Sequence, residues 1–90
     1  MNRYQQMKVF LAVAETLSLA AAAKHLHLSS ATVTRAVDAL ENRLGIPLLQ
    51  RSTQGVTLTA AGEHFRHDSQ RILGAVWAAE ASARGLHHNV

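Results

Sequence analysis

The segment 29–35 concentrates side chains that can form hydrogen bonds at the start of an amphipathic helical pattern. Its polar members are Ser29, Ser30, Thr32, Thr34 and Arg35. Hydroxyl side chains compete with the helical backbone and are usually confined to caps and turns, so they make a poor start for a helix that only packs. Hydroxyls and a guanidinium can instead pair with the base edges and phosphates of nucleic acid. A solvated helix start with an N-cap is the alternative, and this segment alone favours neither.

The six histidines are the other side chains that could take part in chemistry. His64 and His67 are spaced i, i+3, and His25 and His27 straddle a predicted turn. A protein zinc site uses three or four ligands and the chain has no cysteine, so we expect no metal and no cofactor. The serines of segment 29–35 have no base near them except the histidines of the turn, and the sequence has no G-x-S-x-G motif. We therefore expect no catalytic residues and no enzymatic activity.

Three short helices are predicted to position the polar segment. Apolar residues recur at helical spacing in 4–17, 19–26 and 30–44. Ser18 and Ser29 stand at N-cap positions, and Gly45 followed by Pro47 ends the third helix. The predicted core stripes are Tyr4, Met7, Phe10, Leu11 and Ala14 in the first helix, and Val33, Val37, Leu40 and Leu44 in the third. The short connection before the third helix is typical of a helix-turn-helix, although plain helical hairpins share it.

A hairpin and a long helix are predicted to follow. Strand-like runs at 48–51 and 56–58 flank a turn in which Gly55 can take a positive φ. Thr59 is the predicted N-cap of a last helix that runs to about Ala83. Its apolar positions form a seam spaced like that of a coiled coil, so one side can pack on the domain while the other needs a partner. The predicted dimerisation residues are Phe65, Ile72, Leu73, Val76, Trp77 and Ala79.

Length and composition limit the class of protein. The 90 residues suffice for one domain with a modest core, and the formal net charge of +3 mildly favours a polyanionic partner. No apolar run approaches the roughly 18 residues that a membrane span needs, and the N-terminus lacks the apolar stretch of a secretory signal. We therefore expect no membrane association and a cytoplasmic location.

Three stretches, taken in order, resemble the N-terminal domain of LysR-type transcriptional regulators: "MKVFLAVAETLSLAAAAKHLHLS", "TVTRAVDALENRLGIPLLQR" and "GVTLTAAG". The resemblance implies a mainly α fold, a winged helix-turn-helix of three helices plus a two-stranded wing, followed by a long dimerisation helix. The implied organisation is a DNA-binding domain at 1–58, a dimerisation helix at 59–84, and a tail at 85–90 that leads to an effector-binding domain absent from this chain.

The resemblance also implies roles for individual residues. The helix 30–44 would lie in the major groove of double-stranded DNA, and the hairpin would approach the minor groove. The implied base-reading residues are Ser30, Ala31, Thr34 and Arg35; the residues near the DNA backbone are Ser29, Thr32 and Arg51; and the hairpin tip consists of Thr53, Gln54 and Gly55. Ser30 stands where the family often has Gln, which shortens the reach to a base, and Gln54 stands where some members have a basic residue.

The partners implied by the resemblance are an interrupted palindromic DNA operator and a second copy of the chain, bound through the last helix. A full-length regulator would form a tetramer and would bind a small-molecule effector through its C-terminal domain. One alternative remains open from the residues alone. The long apolar helix could make the chain a helical dimerisation or protein-interaction module that does not bind DNA.

Overall fold

The computed structural model describes the backbone of residues 1–88 and the side chains through Gly85. Four helices and one hairpin follow one another in chain order: α1 (Arg3–Thr16), α2 (Leu19–Leu26), α3 (Ser30–Leu44), β1 (Leu49–Ser52), β2 (Gly55–Leu58) and α4 (Ala60–His88). The strands pair antiparallel as a two-stranded sheet. The mainly α winged helix-turn-helix with an appended long helix is therefore confirmed. Among the described residues, no helix is both long enough and apolar enough to span a membrane.

Polar side chains cap the helix starts where the sequence places them. Ser18 Oγ accepts a hydrogen bond from the N–H of Ala21, and Ser29 Oγ accepts one from the N–H of Thr32, which confirms both predicted N-caps. The cap of α1 was not anticipated. Asn2 and Gln5 form a reciprocal capping box there, in which each side chain accepts from the other residue's backbone N–H.

The first three helices all end on a residue in the left-handed region. Gly45 ends α3 with φ +74°, as expected for a residue without a Cβ. Leu17 ends α1 and His27 ends α2 with φ values of 54° and 58°, although each carries a side chain. This backbone conformation ends each helix abruptly, so that only residues 17–18 connect α1 to α2 and only residues 27–29 connect α2 to α3. It sets the short connection between α2 and α3.

The core lies between α1, α2 and α3. Its largest fully buried side chains on these helices are Phe10, Val13, Val33, Val37 and Leu40. Ala22 and Ala23 of α2 are buried with them, and their small side chains allow close helix packing. The predicted stripes were wrong at their ends, because Tyr4 and Leu44 are exposed. Both belong to terminal turns at the end of the domain where Arg43 bonds Gln6, and little of the core extends that far.

The hairpin leans on the helical core as expected. Leu48 and Leu49 are buried, and Val56 and Leu58 are partly buried against the same cluster. The register pairs Leu49 with Leu58 and Ser52 with Gly55, so each strand differs by about one residue from its predicted bounds. Gly55 has φ +123°, a conformation that L side chains rarely adopt, which confirms its expected role in the turn.

Leu48 joins α3, the hairpin and α4. The Glu41 carboxylate of α3 accepts from the N–H of Leu48 at 2.7 Å and from that of Leu49 at 3.1 Å. The Leu48 carbonyl accepts from the N–H of Thr59, just before α4. Gly62 packs so closely on this carbonyl that a Cβ there would lie 2.0 Å from its oxygen. Backbone and side-chain bonds therefore fix three elements around one residue.

The start of α4 is bound to the domain. Thr59 caps it by accepting from the N–H of Gly62, which confirms that N-cap, and the Thr59 hydroxyl donates to the Pro47 carbonyl. Phe65 packs edge-to-face on Phe10 with ring centroids 5.3 Å apart. Four and eight residues later, Ser69 and Leu73 are completely buried. The face of α4 that packs on the domain is therefore the row Phe65, Ser69 and Leu73.

This packing corrects part of the predicted dimer seam. Leu73 is among the predicted dimerisation residues, but its burial against its own chain leaves no surface for a partner. Phe65 was assigned to the same interface and is partly buried in the core of the domain. The helix also continues to His88, five residues past its expected end, and so takes in the start of the segment 85–90 that was predicted to be a tail. Asn89 and Val90 lie outside the described residues.

Candidate nucleic-acid interface

One face of α3 is free of packing and carries polar groups. Helical projection places Val33, Val37 and Leu40 inward, and all three are fully buried. The residues that face outward and are exposed include Ser30, Ala31, Arg35, Asp38, Ala39 and Asn42. Thr34 lies at the border of this face and is half-buried. Three of the four expected base-reading residues are therefore exposed on α3, and Thr34 presents only part of its side chain.

Hydrogen bonds organise the first turn of α3. Ser29 Oγ, which caps the helix, is 2.8 Å from Thr32 Oγ1. Arg35 Nη2 donates to the same Thr32 hydroxyl at 3.4 Å, a long bond on an exposed surface. Thr32 thus connects the cap to the arginine and points the guanidinium toward the start of the helix. The guanidinium has five N–H donors, so this contact leaves donors for a ligand.

Arg51 joins the hairpin to the outward face of α3. It lies on β1, and its Nη2 donates to Asp38 Oδ1 at 2.9 Å in an ion pair whose side chains are 37% and 51% exposed. Asp38 stands three residues after Arg35 on the same helix, a spacing at which the two could pair, but in the structure Asp38 bonds Arg51 and Arg35 bonds Thr32. The pair went unnoticed in the sequence because thirteen residues separate its members.

The hairpin tip projects away from the core. Thr53, Gln54 and Gly55 are exposed, as a groove-probing tip requires. The turn is stabilised by an internal bond, since Ser52 Oγ accepts from the N–H of Gln54 at 3.1 Å.

A shallow depression lies beside α3, where Met1 and Gln6 border Thr32, Arg35, Ala36 and Ala39. Nothing in the sequence indicated that the start of α1 would lie beside Arg35.

The four histidines whose side chains the structure describes do not form a recognisable metal site. Within the described part of the chain, no group of three or more histidine, aspartate and glutamate side chains could hold a metal ion. His64 and His67 lie with Glu63 and Asp68 around an open depression at the start of α4. The expectation that the chain binds no metal or cofactor stays a prediction.

Sequence comparison places the chain among bacterial regulators. The model of the family described as bacterial regulatory helix-turn-helix protein, lysR family, matches residues 4–63. The HTH-type transcriptional regulator TcbR of Pseudomonas sp. (strain P51) is 53% identical over 70 residues, which are 78% of this chain and 24% of that protein. ClcR of Pseudomonas putida is 46% identical over the same shares. The chain thus spans about a quarter of the length of these relatives.

Structural comparison gives the same relationship. The crystal structure of a CbnR_DBD–DNA complex matches 96% of this chain and 99% of that chain, with a TM-score of 0.86 and 44% identity. The BenM_DBD/catB site 1 DNA complex matches 96% of this chain and 97% of that one, with a TM-score of 0.91 and 27% identity. Both comparisons include the long last helix, because they cover almost the whole chain.

Proposed function

We infer that this chain, which belongs to the lysR family of bacterial regulatory helix-turn-helix proteins, binds double-stranded DNA in a sequence-specific way. The observation that carries this proposal is the outward face of α3, where exposed hydroxyl, methyl and guanidinium groups stand on a rigid helix. Chains similar to this one over almost their whole length were solved in complexes with DNA. The proposal therefore rests on a chemically suitable surface and on relatives that use the same fold.

The proposed mode of binding places α3 in the major groove. Arg35 is its strongest candidate for reading a base, because the fork of a guanidinium matches the O6 and N7 atoms of guanine. Ser30 and Ala31 stand one turn earlier, where small side chains let the backbone approach the bases. Thr34 is half-buried, so we propose that it contributes a methyl contact at the edge of the interface.

Contacts with the DNA backbone are proposed for the flanks of α3. Ser29 Oγ accepts from the N–H of Thr32, so its proposed contribution is to hold the start of α3 in place while the other N–H groups of the first turn face a phosphate. Thr32 would contact the DNA backbone in the same region, and Arg51 would bind a phosphate beside the hairpin. The exposed tip at Thr53, Gln54 and Gly55 is proposed to approach the minor groove, with no positive side chain among its three residues.

A two-fold symmetric dimer through α4 is proposed as the assembly. Ile72 is 40% exposed and Trp77 is 46% exposed, which is a large apolar area for a free surface. Val76 is half-buried, and every residue from Trp77 to Gly85 is exposed, Ala79 among them. Two-fold symmetry would match an interrupted palindromic operator, with half-sites about one helical turn apart or a multiple of it.

The chain spans about a quarter of the length of these relatives, and for a full-length protein of their kind we propose a transcriptional regulator of the cytoplasm. Its relatives are named as transcriptional regulators, which supports this role and gives no support to an enzymatic one. A full-length CbnR has been solved with its target DNA. By similarity, we propose a tetramer in the full-length protein and a small-molecule effector bound outside this chain.

Binding to a mixed-sequence duplex across a series of salt concentrations tests the proposed function. DNA binding predicts retention at low salt and a steep inverse dependence of affinity on salt. No retention of the duplex at about 50 mM salt, combined with a stable dimer in sedimentation, would contradict the proposal. That result would favour the alternative of a protein-interaction module.

Arg35→Ala tests the base-reading role once an operator has been selected from random duplexes. We expect a loss of about 1–3 kcal/mol at the preferred site and relaxed specificity at one position per half-site. Arg84→Ala, which removes the same charge from an exposed position near the far end of α4, is the matched control. A uniform loss across a library of single operator substitutions would make Arg35 a phosphate contact and would leave base reading to Ser30 and Thr34.

A further inference from the structure

The ion pair between Asp38 and Arg51 places a negative charge on the surface that is proposed to meet DNA. Asp38 is on the outward face of α3, one turn after Arg35, and Arg51 is on the flank of the hairpin. The contact between them is short, at 2.9 Å, and both side chains are exposed. A carboxylate at this position repels DNA phosphates, so it is expected to oppose binding.

The second acid of α3 has a different task. Glu41 is half-buried, and its carboxylate accepts from the N–H groups of Leu48 and Leu49. Its charge is therefore directed into the base of the hairpin. Asp38 is the α3 acid whose carboxylate stays at the exposed surface, and its described partner is the guanidinium of Arg51.

We propose that Asp38 competes with DNA phosphate for Arg51, and that it thereby lowers the affinity of the domain for DNA of any sequence. This inference rests on the proposed function. A phosphate that accepts from Arg51 either replaces the carboxylate or binds beside it. In the second case the two anions lie well within the Debye length of about 8 Å at physiological salt, so little screening separates them.

The pair is expected to affect DNA binding more than folding. Exposed ion pairs add little to stability, so removal of the Asp38 charge is expected to leave the fold intact. It would release an arginine that already points along the proposed DNA surface. The domain would then gain one effective phosphate contact, and its binding would respond more steeply to salt by about 0.9 per phosphate.

The test is a double-mutant cycle in which binding to a mixed-sequence duplex is measured by fluorescence anisotropy between about 50 and 200 mM salt. Over this range, six to ten phosphate contacts change the affinity by about 10³–10⁵. We expect Asp38→Asn to tighten binding about three- to tenfold and to steepen the salt slope by up to about one unit. Arg51→Ala should lower the slope by only a fraction of a unit in the wild-type background, where Asp38 weakens the phosphate contact of Arg51, and by about one unit in the Asp38→Asn background. Thermal unfolding of each variant verifies that it is folded.

Asp68→Asn is the matched control, because it removes the same charge from an exposed aspartate that pairs with Arg71 on α4. We expect it to change affinity less than about twofold, as a general effect of net charge would. Weaker or unchanged binding by Asp38→Asn overturns the inference. A gain of equal size with and without Arg51 overturns it as well, because the carboxylate would then act on DNA directly. If the wild-type chain itself fails to bind at the lowest salt, the proposed function fails and this inference falls with it.

Discussion

Removal of the Glu41 carboxylate should release the hairpin from α3. The carboxylate accepts from two consecutive backbone N–H groups, those of Leu48 and Leu49, at 2.7 and 3.1 Å. Leu48 precedes β1, and Leu49 is its first residue, paired with Leu58 at the end of the ladder. Glu41→Ala therefore leaves two part-buried donors without their described acceptor.

The size of the effect follows from the type of bond. A hydrogen bond to a charged group contributes about 1.5–3 kcal/mol, and a half-exposed acceptor falls near the lower end. We therefore expect Glu41→Ala to lower the free energy of unfolding by about 2–4 kcal/mol. For a domain of this size, that corresponds to a decrease in Tm of roughly 10–25 °C. Glu41→Gln keeps a neutral acceptor and should cost about half as much.

Chemical denaturation at a fixed protein concentration measures this loss, since a dimer would make stability depend on concentration. Glu80→Ala is the matched control, because Glu80 is an exposed glutamate of α4. We expect it to change stability by less than about 0.5 kcal/mol. A Glu41→Ala variant as stable as this control would refute the conclusion that the carboxylate holds the hairpin.

Three further substitutions test other parts of the structure. Gly62→Ala should destabilise the domain by about 2 kcal/mol or more in thermal denaturation, because the added Cβ would collide with the Leu48 carbonyl oxygen. The control Gly74→Ala places its Cβ in open space and should stabilise the helix by up to about 1 kcal/mol. Ser69→Ala should be neutral or stabilising by about 1 kcal/mol, because the buried hydroxyl has no partner within the described residues; a loss above about 1 kcal/mol would point to a bond it makes. Trp77→Glu should give monomers in sedimentation equilibrium, and a dimer of unchanged strength would contradict the proposed interface.

Local features of the chain could be predicted because their causes lie within a few residues. Ser18, Ser29 and Thr59 cap helices through bonds that span three residues, and Gly45 and Gly55 take positive φ values that few other residues tolerate. The order of elements follows from these boundaries. The fold class could therefore be predicted from the sequence with little knowledge of packing.

Features that depend on how elements pack could not be predicted in this way. Periodicity makes both Ile72 and Leu73 candidates for the dimer interface, but only the rotation of α4 against the domain decides that Leu73 is buried and Ile72 is exposed. The same holds for Asp38, whose partner comes from a strand and not from its own helix. A charged side chain on a helix can pair with a residue of its own helix or with a residue of another element, and the sequence alone does not show which of the two lies closer.

The bonds around Leu48 have a mechanical consequence for the proposed dimer. They fix the angle at which α4 leaves the reading domain, and α4 is a rigid arm of 29 residues, about 43 Å long at 1.5 Å per residue. A rotation of only about 5° at its base would displace the far end by nearly 4 Å, close to the 3.4 Å rise of one base pair. A small change of angle at the Leu48 junction would therefore change the distance between the two α3 helices of the proposed dimer. That distance decides which spacing between half-sites the dimer fits.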